Sequence, residues 1–478
     1  MKSYHSLSQI RSDIQSGVID CVELVKGYLA NIEKKNKTLN ALTEVYEQEA
    51  LAQAAIVQEK INKGNAGRLA GMVVTIKDVY CHEGHFLHCG SKILEGFKSQ
   101  FTATPIQRLL DEDAIIIGRN NCDEFAMGSS NENSYFGPVK NAANENKVPG
   151  GSSGGSAVAV QSDMCLVSIG SDTGGSVRQP ASFCGIIGFK PSYGRISRHG
   201  LTAYASSFDC VGILSQSVED SALVLEIIAG ADEYDHTVSH LSVPAYSKAP
   251  TWSGTFSVVS FDNINTHKAL NPAVQSSVNK VFDKIESSGN KIQKLNFDYL
   301  NYVLPTYYIL TTAEASANLS RFDGVRYGYR SSSAKDLESM YKKSRSEGFG
   351  EEVIKRILLG AYVLSEGFYD AYYTKAQKVR RLIRDEMKKL FETNDFIIMP
   401  TAPTPAFDLN SHDRDPLQMY LEDIFTVQAS LAGLPSISIP NGTDEHGMPI
   451  GIQIIGNSFE EEKLLSFSKY LQDHILES

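Results

Sequence analysis

The feature that most restricts the fold is a repeated change of hydrophobic period. Short apolar runs alternate with helical patterns over more than 350 residues. Between residues 20 and 34, Val22, Leu24, Val25, Tyr28, Leu29 and Ile32 follow a helical period, and Asp20 with Glu23 predicts a capping box. An alanine-rich helix is expected over 48–63, stopped by Gly64. Met72-Val73-Val74-Thr75-Ile76 then reads as a buried strand ending at Lys77 and Asp78. Further strands are expected at 114–118, 165–170, 256–261, 396–399, 436–439 and 450–455. Helices are expected at 104–113, 217–229, 306–320 and 351–389, and from 458 onward. The stretches 231–254, 324–350 and 402–416 read as loops. This alternation predicts an α/β fold, a large mixed central sheet covered by helices. Residues 1–64 form a helical annex to an α/β domain spanning 65–478.

Composition narrows the function. The 478 residues, 42% of them hydrophobic, suffice for a large core. Lys+Arg 45 against Asp+Glu 56 gives a net charge of −11, which argues against a broad grip on a nucleic-acid backbone. Seven cysteines are scattered with no CxxC, so neither a disulfide framework nor a zinc ribbon is expected, and the compartment is a reducing one. The polar start carries no secretory h-region, and no apolar run approaches the ~18 residues of a membrane span. A cytoplasmic protein, or one of an organelle matrix, is expected.

The most unusual composition lies between Pro149 and Pro180. It holds Pro-Gly-Gly-Ser-Ser-Gly-Gly-Ser at 149–156, a following strand, and Ser-Asp-Thr-Gly-Gly-Ser-Val-Arg-Gln-Pro at 171–180. A phosphate loop would need a lysine after the glycines, but Gly155 is followed by Ser156 and Ala157. A nucleophile elbow centred on Ser153 would need a buried strand before it, and 141–149 is polar and ends in proline. A third arrangement joins both segments to Lys77. A serine needs a base to attack a carbonyl, and a neutral lysine serves. Lowering a lysine from ~10.4 to ~7.5 costs about 4 kcal/mol, which burial at a strand end supplies. A pair of chemically idle Gly/Ser turns is the competing reading, since spacing alone does not bring these segments together.

The run Gly150–Ala157 followed by Ser171–Ser176 resembles the amidase signature family, over nearly the whole chain. The resemblance implies Ser176 as acyl nucleophile, Ser152 as a bridging serine on a cis peptide, and Lys77 as the base. It also implies an oxyanion hole from the N–H groups of Thr173, Gly174 and Gly175, donors worth ~2.7–4 kcal/mol each to a tetrahedral oxyanion. Within the family, Asp123–Ser129, Gly188–Arg195 and especially Ala313–Gly324 are similar to the glutaminase subunits of tRNA-dependent amidotransferases. That branch implies L-glutamine as substrate, its α-carboxylate on Arg356 and its α-ammonium on Asp423. Tyr307 (or the equally close match Tyr308), Met127, Gly128 and Ser129 would line the same pocket. It further implies B and C partner subunits, ATP and Mg2+ used at a partner, no cofactor or metal on this chain, and Glu-tRNA(Gln) contacted mainly through the partner. Cys122, Cys210 and Ile213 depart from the usual pattern, outside the proposed triad.

Each residue also has a plainer reading. Ser152 and Ser176 suit helix caps, and Lys77 suits an ion pair beside Asp78. Arg356 lies in a charged helical stretch and Asp423 next to Glu422, where a solvated face is the default. Cys81, His82, His85, His88 and Cys89 lie close in sequence, but their spacing matches no zinc module and Gly84 interrupts them. Trp252 and the aromatic run 368–373 suit packing or helix surface rather than base stacking. A stand-alone amidase of the family, acting on small or acyl amides, is the alternative to the glutaminase. Two opposite charges in the pocket argue against it, because an apolar amide has no use for them. A non-catalytic assembly protein would require loss of Lys77 or Ser176, and both are present.

Overall fold

The computed structural model describes residues 2–411 and 416–476, so the expected loop at 402–416 falls partly outside the described residues. Among them, one mixed sheet of eleven strands runs through the molecule. In chain order these are β1 Leu42–Val45, β2 Val73–Lys77, β3 Ile115–Asn120, β4 Val167–Asp172, β5 Ile187–Lys190 and β6 Cys210–Ser215. They continue with β7 Ser257–Phe261, β8 Lys291–Leu295, β9 Phe396–Pro400, β10 Ser436–Thr443 and β11 Pro449–Ile455. Their spatial order is β1-β3-β2-β4-β6-β5-β10-β11-β9-β7-β8.

Parallel pairing at the centre positions the chemistry. β2 lies between β3 and β4, parallel to both. All three strands are buried along their whole length, as expected of a parallel sheet covered on both faces. Lys77 pairs with Asn120, and Ile76 with Ile169, so the carboxyl ends of β2, β3 and β4 emerge together. Ligands gather at this end of open parallel sheets.

The N-terminal segment is mainly helical, with Asp20 and Glu23 forming the capping box and Gly64 ending Glu47–Lys63 in a left-handed turn. It also supplies β1, which pairs with the edge of β3 through residues too mixed in polarity to stand out as a strand. Four other features depart from expectation. The stretch 351–389 is not continuous but two helices, Glu351–Val363 and Lys375–Leu390, interrupted where Gly367 takes a φ of 86°. The expected loop 324–350 contains the helix Leu337–Gly348, nucleated by a capping box of Asp336 and Ser339. The first Gly/Ser segment runs into the helix Gly154–Gln161 before the strand that follows. Last, β5, β6 and β8 lie where no strand was expected.

Candidate active site

Lys77 projects from the end of β2 into a cage of hydroxyls. Its Nζ donates to Ser152 Oγ at 2.7 Å, and to Ser153 Oγ and Ser171 Oγ at 3.0 Å each. All four residues are buried. Burial pulls the lysine down to about 8, against the opposing pull of Cys122, Asp123 and Asp172. Among the described residues Lys77 forms no ion pair. Asp78 turns away, lying 3.4 Å from Arg119 and accepting the N–H groups of His88 and Gly90. The ion-paired strand-end reading of Lys77 therefore fails.

Ser152 follows a cis Gly151–Ser152 bond. That bond sits in a close-fitting nest: a Cβ on Gly151 would lie 2.1 Å from Asp123 Oδ2, and Gly151 N–H donates to Gln179 Oε1 at 2.9 Å. Gln179 Nε2 donates to the Ser129 carbonyl at 2.8 Å, tying the 123–131 loop to the same segment. Asp123, pushed up to about 6 by burial, accepts the N–H groups of Asn131 and Asn133. Ser153 is not an exposed elbow nucleophile. Its hydroxyl is buried, accepts from the Lys77 ammonium and donates to the Ser171 carbonyl at 3.2 Å.

The second Gly/Ser segment turns back over the first. Ser153 N–H donates to the Ser176 carbonyl at 3.1 Å, joining the two Gly/Ser segments next to Ser152. Ser176 keeps 8% of its surface exposed, and among the described residues its hydroxyl makes no hydrogen bond. Gly174 and Gly175 likewise donate their N–H groups to no acceptor among the described residues. The turn is clamped by its surroundings. A Cβ on Gly174 would strike the Tyr307 ring at 2.5 Å, and one on Gly175, whose φ is 144°, would strike Thr426 Oγ1 at 2.2 Å. Thr173 Oγ1 donates to Asp209 at 2.6 Å. Below it, Arg178 forks onto Asp172 at 2.8 and 3.0 Å; burial pushes that carboxyl up, but the Arg178 charge and hydrogen bonds, the Lys190 charge and the Val177 N–H together hold it below its usual range.

Arg356 and Asp423 are not on a solvated face; both are buried. Arg356 Nε donates to Glu352 at 2.8 Å and Nη1 to the Tyr204 hydroxyl at 2.9 Å, while the rings of Tyr204, Tyr308 and Tyr420 surround the guanidinium. Asp423 accepts Ser129 Oγ at 2.9 and 3.0 Å and the Tyr308 hydroxyl at 3.0 Å. Burial pushes Asp423 up to about 6, with those hydrogen bonds opposing. Of the two tyrosines, Tyr308 touches the carboxylate and Tyr307 packs on Gly174. Met127 is buried, and a Cβ on Gly128 would strike the Asp123 carboxylate at 2.4 Å, so both shape the loop that carries Ser129.

Several contributors had no assigned role in the sequence. Ser171 stands inside the second Gly/Ser segment, one residue before Asp172, and its place on β4 beside the lysine strand was the available signal. Gln179, Asp209, Thr426 and Tyr204 act through long-range hydrogen bonds with no local pattern, whereas Glu352 lies one helical turn before Arg356, an i,i+4 spacing that was the available signal. Cys122 is buried near Lys77, and Ile213 sits in β6 paired with both neighbours, where an N–H is useful and proline's lack of one would cost a ladder bond. Around 81–89, His82 stacks on His85 at 4.3 Å, and no group of three metal-ligating side chains with holding geometry occurs among the described residues. Trp252 packs edge-on against Phe396 and Phe467. The 368–373 run keeps Phe368, Tyr369 and Tyr372 exposed on the surface.

A family model described as Amidase matches residues 23–465. The A subunit of glutamyl-tRNA(Gln) amidotransferase from Chlorobaculum tepidum is 49% identical over 477 residues, covering 98% of each chain. Its namesake from Coxiella burnetii is 46% identical over 469 residues, covering 98% of this chain and 97% of the relative. The crystal structure of the corresponding glutamyl-tRNA(Gln) amidotransferase A subunit from Thermotoga maritima shares 34% identity, covers 95% of this chain and 93% of that one, and aligns with a TM-score of 0.77. A crystal structure described as that of an amidase aligns at 0.82 with 27% identity, over 98% of this chain and all of that one (100%). The chain belongs to the amidase family, on the branch formed by the glutamyl-tRNA(Gln) amidotransferase A subunits.

Proposed function

We propose that this chain is the glutamine-hydrolysing A subunit of a glutamyl-tRNA(Gln) amidotransferase. The observation that carries the reading is the buried Lys77, its pKa lowered by burial, set 2.7 Å from Ser152, with Ser176 alongside and a buried Arg356 and Asp423 beyond. Two opposite charges match the α-carboxylate and α-ammonium of a free amino acid, and an Arg fork suits a carboxylate. Tyr308 and Ser129 orient Asp423, while Tyr307, Met127 and Gly128 shape the pocket wall. The nearly half-identical, full-length relatives support the same substrate.

In this mechanism Ser176 Oγ attacks the side-chain amide carbon of L-glutamine. Its proton passes to Ser152, whose own proton passes to neutral Lys77. The N–H groups of Thr173, Gly174 and Gly175 receive the developing oxyanion without reorganising. The relay then returns a proton to the nitrogen, the C–N bond breaks, and ammonia leaves a γ-glutamyl ester on Ser176. Water, deprotonated by the same relay, hydrolyses the ester to glutamate. The ammonia converts Glu-tRNA(Gln) to Gln-tRNA(Gln) at a partner subunit. B and C subunits are the partners, and the tRNA is held mainly by them, consistent with the net charge of −11 here. ATP and its Mg2+ serve the partner; the glycine loops of this chain enclose Lys77 and lack a Walker lysine. Residues 1–64 act as a helical annex to the 65–478 catalytic unit, and the assembly works in the cytoplasm. No helix among the described residues is long and apolar enough to cross a membrane.

The test is ammonia release from L-glutamine by the chain co-produced with B and C subunits, wild type beside Ser176→Ala, with propionamide and a fatty-acid amide in parallel. Glutamine turnover that ATP and Glu-tRNA(Gln) raise and Ser176→Ala removes is the expected result. Turnover of the apolar amides with glutamine untouched would overturn the substrate assignment and the tRNA connection together.

A further inference from the structure

We infer that Tyr204 is a positioning residue that sets the distance between the substrate's carboxylate clamp and the oxyanion turn, so that the site measures amide chain length. The inference rests on the glutaminase reading above and adds a residue that neither catalyses nor contacts the amide.

Tyr204 is buried and is joined to both ends of the pocket. Its hydroxyl accepts from Arg356 Nη1 at 2.9 Å and donates to Thr311 Oγ1 at 2.9 Å, and Thr311 donates in turn to the Tyr307 carbonyl at 2.8 Å. Its backbone N–H donates to Asp209 Oδ2 at 3.0 Å, while Asp209 Oδ1 accepts from Thr173 Oγ1 at 2.6 Å. Side chain and main chain of one residue thus connect the guanidinium to the turn where the oxyanion forms. Glu352 fixes the other edge of the guanidinium at Nε. Between them these two acceptors set the guanidinium plane, and among the described residues Nη2 makes no hydrogen bond, leaving that face for a carboxylate. An arginine held on a flexible stem would adapt to substrates of several lengths; one pinned at Nε and Nη1 accepts a single separation between carboxylate and amide.

Tyr204→Phe keeps the ring and the backbone tether to Asp209 and removes only the hydroxyl. Glu352→Gln, which keeps an acceptor oxygen, is the companion variant. Each is measured in the co-produced complex on L-glutamine, on L-asparagine (one methylene shorter), and on 4-aminobutanamide, which is glutamine without its α-carboxylate. For Tyr204→Phe the preference for glutamine over 4-aminobutanamide falls roughly tenfold, through KM rather than kcat, and the preference over asparagine falls with it. Glu352→Gln shows the same pattern more weakly. Equal losses on all three amides, or a loss in kcat alone, would make Tyr204 merely structural and overturn the inference; so would unchanged preferences. A wild-type complex that does not prefer glutamine over 4-aminobutanamide overturns the clamp reading itself, independently of either variant.

Discussion

Lys77, Ser152, Ser153, Ser171 and Ser176 all lie between residues 77 and 176, on strand ends and glycine turns that backbone packing holds in place. Arg356 and Asp423 come instead from a late helix and a late loop, and are held by side-chain hydrogen bonds to Tyr204, Glu352, Ser129 and Tyr308. The lysine centre is therefore set by the fold, whereas the charge pair is set by exchangeable side chains. On the proposed mechanism, bond cleavage belongs to the first region and the choice of amide to the second. Substitutions in the centre should cost kcat; substitutions in the charge pair should cost KM.

The largest break is expected at the base. Lys77→Met should lower kcat by about 10³-fold or more, since general base work contributes up to roughly 10⁴-fold. Circular dichroism and melting should show the fold kept. Unfolding of this variant would mean that Lys77 holds the sheet end together rather than serving catalysis.

Gly175→Ala comes next. The added Cβ meets Thr426 Oγ1 at 2.2 Å in a backbone at φ 144°, so the turn must shift and its N–H donors with it. A fall in kcat of roughly 10²-fold with KM little changed is expected from steady-state kinetics. A loss confined to KM would place this turn in the binding region instead.

Asp423→Asn should raise KM for glutamine by roughly 10–100-fold, the loss of one charge-assisted contact, with kcat less affected. Propionamide turnover, which needs neither charge, should hold up by comparison. Parallel losses on both substrates would erase the division between the two regions.

The last effects are those of pH, and the activity profile separates the regions without mutation. The kcat/KM profile should rise through about 6 as Asp423 ionises, and rise again through about 8 as Lys77 loses its proton. Stability varies with pH in the same direction. Lys77 titrates at about 8 folded against an ordinary 10.5, so the unfolded chain binds the extra proton between those values. Stability relative to Lys77→Met should then increase with pH across that window, by about 3 kcal/mol. A difference that stays flat from pH 8 to 10.5 would mean that the lysine is not desolvated.

The same division decides what was legible beforehand. β2, β3 and β4 were readable because parallel strands buried on both faces are continuous apolar runs, and the two Gly/Ser segments because their composition is unusual. Their meeting was not readable; it needed the family resemblance, since no local pattern encodes the parallel register that sets Lys77 beside Ser171. The helix Leu337–Gly348 resembles a loop in sequence because its mostly polar residues hide the period, though Asp336 and Ser339 mark its start. The break after Val363 is hidden in the sequence because periodicity continues on both sides of Gly367. Tyr204 left no signal, since its value lies in contacts 107 and 152 residues away.

The most direct test is to find where glutamine becomes attached. The co-produced complex, mixed with L-glutamine and quenched in acid within a turnover, is digested and examined by mass spectrometry. One glutamyl group in ester linkage on Ser176 is expected, absent from Ser176→Ala and strongly reduced in Lys77→Met. A glutamyl group on Ser152, Ser153 or a cysteine, or steady turnover with none on Ser176, would contradict the proposed mechanism.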